Sequence, residues 1–157
     1  MFRDITTLLK DPTGFRITIN ELASRYANTK IDIVAGIEAR GFIIGAALAY
    51  QLGVGFVPIR KQGKLPAATL NQDYSLEYGT DRIEMHIDAI SAGDRILLVD
   101  DLIATGGTAE AACKLIERAY GQIVECCFVI NLPDLGGRDR LEQQGHTVFA
   151  LCEFVGD

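Results

Sequence analysis

The chain of 157 residues has no apolar run approaching the length of a membrane span, and its start shows no secretory leader. A bilayer-embedded protein and an exported one are therefore both disfavoured, and a cytoplasmic setting without a membrane partner is expected. Net positive charge is missing as well: 15 Lys and Arg face 21 Asp and Glu, for a formal charge of −6. That argues against a nucleic-acid partner, while leaving room for a local basic site. The four cysteines (Cys113, Cys126, Cys127 and Cys152) show no metal-ligand spacing. Cys126 and Cys127 are neighbours on an expected strand, so they point to opposite faces and are poorly placed to pair. Four buried, reduced thiols are expected. Internal repeats and low-complexity linkers are also lacking, so a single domain over residues 1–157 with a substantial core is expected.

What is present is an alternation of strands and helices. Asp11-Pro12 reads as a helix cap followed by proline at the first helical position, and Phe15, Ile19, Leu22 and Tyr26 continue at helical spacing to about Asn28. Ile31 to Ile37 reads as a strand, and Arg40 to Leu52 as a Gly- and Ala-rich helix packed closely on a sheet. Further strands are predicted at 54–59, 82–90, 95–99, 123–131 and 147–154. A helix over 108–120 should turn Ala112, Leu115, Ile116 and Ala119 inward. The pattern predicts an α/β fold: a mostly parallel twisted sheet flanked by helices, with ligands at the carboxyl ends of the strands. Residues 61–81 break the pattern. Their lack of periodicity predicts a long irregular loop acting as a flexible lid.

The most informative stretch is Leu97-Leu98-Val99-Asp100-Asp101-Leu102-Ile103-Ala104-Thr105-Gly106-Gly107-Thr108. An apolar strand meets two carboxylates, then a glycine-rich turn that opens a helix. The turn's amides and the positive end of the helix suit a phosphate monoester, and the threonine hydroxyls add donors. The carboxylates would repel that phosphate but fit hydroxyls, such as those of a ribose bearing it. A helix cap alone would need one small acceptor, not a second carboxylate and two glycines. A second anion site is predicted at Gly36 to Gly41, where a helix start coincides with Arg40. Arg60, Lys61 and Lys64 form a local cationic cluster beside the expected lid. Judged alone that cluster reads equally as a solvated run, but in an acidic chain and beside a lid it reads as a polyanion site.

The stretch Asp100 to Thr108 resembles the phosphoribosyl-diphosphate (PRPP) motif of the type I phosphoribosyltransferases. Phe2-Arg3-Asp4-Ile5, Arg40-Gly41-Phe42, Arg60-Lys61-Gln62-Gly63-Lys64-Leu65-Pro66 and Tyr74-Ser75-Leu76-Glu77-Tyr78-Gly79 resemble the adenine branch of that family. The resemblance implies the type I fold with a lid and a small hood, and a homodimer. It also implies transfer of the phosphoribosyl group from PRPP to N9 of adenine, giving AMP and diphosphate with Mg²⁺ carried by PRPP rather than held directly by the protein. By the same resemblance, Ala104, Thr105, Gly106, Gly107 and Thr108 would cradle the 5-phosphate, and Asp100 and Asp101 the ribose hydroxyls. Arg40 would contact the diphosphate. Arg60, Lys61 and Lys64 would add charge, Lys64 at its own site or at a neighbouring subunit's. Phe2 and Leu102 would flank adenine, with backbone near Met1 and Arg3 reading its edge, and Glu77 would be the acid/base.

Family members usually carry a further segment before the Phe-Arg-Asp element. On that pattern, adenine would meet a free terminus here, with its α-amino group near the base. Three other readings stay open: transfer to another purine, a PRPP-sensing regulator without turnover, and an inactive short form.

Overall fold

A computed structural model describes residues 4–76 and 78–156. Phe2, Arg3 and Glu77 lie outside the described residues, as does Met1. The chain enters through two helices, α1 (Thr6–Lys10) and α2 (Pro12–Tyr26). The Asp11 carboxylate accepts the Thr13 N–H at 3.2 Å, so the predicted cap is formed, with proline at the first helical position. There follow β1 (Ile33–Ile37), α3 (Arg40–Leu52), β2 (Gly55–Lys61), β3 (Thr69–Leu76), β4 (Gly79–His86) and β5 (Arg95–Ile103). The chain then forms α4 (Gly107–Arg118), β6 (Gln122–Asn131), α5 (Gly137–Gln143) and β7 (Val148–Glu153).

The strands make one seven-stranded sheet in the order β3-β4-β2-β1-β5-β6-β7. β2, β1, β5, β6 and β7 run parallel, while β3 and β4 are antiparallel additions at one edge. Two cores line the two faces. Leu22, Ile44, Leu48, Leu97 and Val99 join the face covered by α2 and α3; Ile96, Leu98, Leu115, Ile116 and Phe128 join the face covered by α4. Successive β5 residues thus alternate between the cores, as the pleat requires. Small residues let α3 settle on β1: a Cβ at Gly36 or Gly45 would stand 2.6 or 2.9 Å from the Phe56 ring.

Cys126 belongs to one core and Cys127 to the other, as expected for neighbours on a strand. The expectation of four buried thiols fails at Cys152, which is exposed. It sits near the outer end of the edge strand β7, where cover by neighbouring elements runs out. The irregular loop predicted over 61–81 also needs revision. Thr69–Leu76 is a strand paired with β4 from Thr69↔His86 to Leu76↔Gly79. Its alternation is faint because, on the sheet edge, Tyr74 is its one buried residue.

Candidate active site

The site forms where β5 ends and α4 begins. β5 runs past Val99 to Ile103, so Asp100 and Asp101 lie within the strand rather than after it. α4 starts at Gly107, with Gly106 before it at φ 87° and no side chain capping the helix. An uncapped helix start leaves its first amides without internal partners, and the helix field there favours negative charge. The turn, with Asp100, Leu102, Ile103 and Ala109, lines a pocket of about 180 Å³ that takes in Ala104, Thr105, Gly106, Gly107 and Thr108. Its size and donors suit a bound anion.

The two carboxylates stand at the start of α3. Asp101 is 4% exposed, and its Oδ2 lies 2.6 Å from Arg40 Nε. That contact is ionic without hydrogen-bond alignment, because Oδ2 accepts no hydrogen bond among the described residues. Arg40 also approaches Asp4, at 3.9 Å. The Asp101 N–H donates to Asp100 Oδ1 at 2.8 Å. Burial, with the neighbouring Asp101 charge, pushes the Asp100 carboxyl well above its ordinary range; Arg40 offsets this only in part. Gly41 makes room here, since a Cβ would come 2.9 Å from Asp100 Oδ1. Arg40, Asp100, Asp101 and the glycine-rich turn therefore lie together.

The cationic cluster is placed differently. Arg60 Nε donates to Glu38 Oε1 at 3.0 Å, and the Lys61 N–H to the same oxygen at 3.1 Å. Lys61 Nζ donates to Asp81 at 2.9 Å and to the Tyr74 hydroxyl at 3.1 Å. Two of the three cations thus pin the end of β2 to the loop before α3 and to the β3–β4 hairpin. Lys64 is exposed in the turn that follows. Leu102 lines the pocket at the β5–α4 turn and packs against the α2–α3 core.

Sequence reasoning missed the third wall. The N–H of Gly137, the first residue of α5, donates to the Ala104 carbonyl at 3.0 Å. Arg140 pairs with Glu110 of α4, and its Nη1 donates to the Thr105 carbonyl at 3.4 Å. A Cβ on Gly106 would come 2.9 Å from Gly137 Cα. The two glycines therefore lie backbone against backbone. The Gly136-Gly137 pair was the available signal, since each glycine permits either an unusual turn or a close approach.

Comparison with known proteins bears on the same region. The phosphoribosyl transferase domain model matches residues 6–152. An adenine phosphoribosyltransferase from Nitrosospira multiformis is 73% identical over 157 residues, covering 100% of this chain and 90% of that one. The crystal structure of the adenine phosphoribosyltransferase from Thermoanaerobacter pseudethanolicus aligns with a TM-score of 0.93 at 50% identity, covering 98% of this chain and 88% of that one. The Saccharomyces cerevisiae adenine phosphoribosyltransferase, solved with an imino-altritol bisphosphate and adenine, aligns at 0.89 and 42% identity, over 96% of this chain and 86% of that one. With a glycine-rich turn at an uncapped helix start, a carboxylate pair beside it and relatives of this identity over its whole length, the chain belongs to the adenine phosphoribosyltransferase family.

Proposed function

We propose that the chain transfers the 5-phosphoribosyl group of PRPP to N9 of adenine, releasing diphosphate and giving AMP, as in purine salvage. The observation that carries this reading is the uncapped start of α4 set against the Asp100–Asp101 pair. One end recognises a phosphate, the other a diol, and a ribose 5-phosphate has both. Thr105 to Thr108 bind the 5-phosphate through amides and hydroxyls, while Asp100 and Asp101 accept from the ribose hydroxyls.

As the bond from C1 to diphosphate lengthens, the ring gains oxocarbenium character and the leaving group gains charge. Arg40 at the start of α3, with Lys64, opposes that negative charge. Mg²⁺ carried by PRPP supplies further neutralisation of the diphosphate; Asp100 and Asp101 offer hard oxygen donors that suit such a complex. The Asp101 oxygen, ion-paired with Arg40 but accepting no aligned hydrogen bond among the described residues, and the raised Asp100 carboxyl fit a site that gains from an incoming hydroxyl or cation.

Adenine lies between Phe2 and Leu102, with Arg3 at its edge and Glu77 as the acid/base at the purine. The β3–β4 hairpin that carries Glu77 closes as a lid and excludes the water that would hydrolyse the activated sugar. The exposed α3 stripe of Ile43, Ala46 and Tyr50 supports a homodimer. A cytoplasmic setting fits the free cysteines.

The test is incubation with PRPP, Mg²⁺ and each of adenine, hypoxanthine, guanine and xanthine, reading nucleotide formed. AMP from adenine with little from the others is the expected result. Nucleotide mainly from another base would overturn the base assignment, and none from any base would leave a PRPP-sensing regulator or an inactive short form.

A further inference from the structure

Glu84 lies on β4 between Ile83 and Met85, two core residues, and is itself 4% exposed. A buried carboxylate is costly unless hydrogen bonds compensate it, and an apolar residue would fill the position at less cost. Its partners explain its presence. Oε1 accepts the N–H groups of Gly63 at 3.1 Å and Leu65 at 3.2 Å, and Oε2 accepts the Thr69 hydroxyl at 3.4 Å. All three are neutral donors that come from outside β4.

The turn that Glu84 holds is the one presenting Lys64. Its other amides are occupied as well: the Gln62 N–H donates to the Arg82 carbonyl at 3.1 Å, and the Lys64 N–H to the Lys61 carbonyl at 3.3 Å. Pro66 has no N–H to offer. From residue 62 to residue 66, therefore, no backbone amide is left for a ligand. This is the opposite of the α4 start, where the helix is uncapped. An anion approaching this turn meets side chains alone, and their position depends on how firmly the backbone beneath them is held.

We propose that Glu84 is a positioning residue for the diphosphate end of the site. Its buried carboxylate draws the Gly63 and Leu65 amides inward and fixes the turn from which Lys64 meets the leaving group. The proposal rests on the PRPP reading above. It holds whether Lys64 serves its own site or that of a second copy, because the clamp lies within one chain.

Two variants and two readouts test it, on the full chain. In Glu84→Ala the turn loses its internal acceptor. Amide hydrogen exchange at Gly63 and Leu65 should quicken by about tenfold or more relative to core amides such as Leu98. The KM for PRPP, and the inhibition constant for diphosphate, should rise about tenfold, with the KM for adenine unchanged. Glu84→Gln keeps a carbonyl oxygen for the two amides and an NH₂ group for Thr69, so it should recover most of the loss. A merely structural role would lower thermal stability and the active fraction while leaving both KM values where they were. That result would overturn the proposal, as would unchanged exchange at Gly63 and Leu65, or adenine and PRPP KM values rising together. Absence of turnover in the unaltered chain would instead count against the PRPP reading, and the exchange measurement would still decide the clamp.

Discussion

Replacing Gly137 by alanine should damage phosphate binding through a backbone that touches no ligand. A Cβ there would stand 2.5 Å from the Ala104 carbonyl oxygen and 2.8 Å from the Gly106 nitrogen. Reaching an ordinary contact near 3.4 Å requires a displacement of roughly 0.9 Å between α5 and the turn before α4. Overpacking of this kind costs about 1–3 kcal/mol, and losing the Gly137-to-Ala104 hydrogen bond adds about 1 kcal/mol. The sum of about 2–4 kcal/mol corresponds to a fall in Tm of about 5–15 °C for a chain of this size. A misplacement approaching 1 Å at a binding group can cost up to about 100-fold, so the KM for PRPP should rise between about tenfold and 100-fold. Gly136→Ala is the matched control. Gly136 has φ 77° but nothing within 4 Å of its would-be Cβ, so its variant should lose only about 1–2 kcal/mol to backbone strain and bind PRPP normally. Thermal melting and PRPP saturation kinetics on both variants decide the matter. Equal Tm losses with an unchanged PRPP KM in Gly137→Ala would refute the argument that α5 sets the turn.

Three further outcomes follow from named groups. The unfolded chain releases the Asp100 proton near 3.8, whereas the folded chain holds it to higher pH, so Asp100 makes stability fall as pH rises through that interval and level off above it. Asp100→Asn should match the unaltered chain below pH 4 and gain on it above, in denaturant titrations across pH; a constant difference would contradict the raised carboxyl. A disulfide-exchange dye added to the native protein should label Cys152 first, because Cys113, Cys126 and Cys127 are buried and burial pushes the Cys127 thiol up to about 12. Peptide mapping that finds the fast label on any of those three would be the contrary result. Glu77→Gln should lower turnover severalfold with little change in PRPP binding, and unchanged turnover would remove Glu77 from the reaction.

The parts legible in the sequence were those whose physics is local. β5 and α4 announce themselves because an apolar run, two carboxylates and a glycine pair follow one another without interruption, and the face of α4 carrying Ala112, Leu115 and Ile116 is fully buried. α2 is legible for the same reason, with Asp11-Pro12 at its start and Ile19, Leu22 and Tyr26 on its buried stripe. Elements that bury little were silent. α1 buries no residue fully, and α5 buries Leu141 and Gly137 alone, so neither leaves a helical period to read. β3 buries only Tyr74, and its alternation disappears among half-exposed edge positions.

Within the site, the residues that carry charge were readable, but their pairing was not. Arg60 and Lys61 belong to an evident basic cluster. That they are held by Glu38 and Asp81 depends on strand order, which brings β2 beside β4 and against the loop before α3. Arg140 reaches the Thr105 carbonyl from 35 residues away. No spacing rule within a single sequence expresses contacts of that kind, because they depend on crossovers between elements.

The proposed reaction stands on joint recognition of a phosphate and a diol across the β5–α4 junction. A crystal structure of the protein with AMP tests it most directly. The phosphate is expected within hydrogen-bond distance of the amides of residues 105–108, and the ribose hydroxyls against Asp100 and Asp101. AMP bound with its phosphate at Arg40 or Lys64, and the α4 start left to solvent, would contradict it.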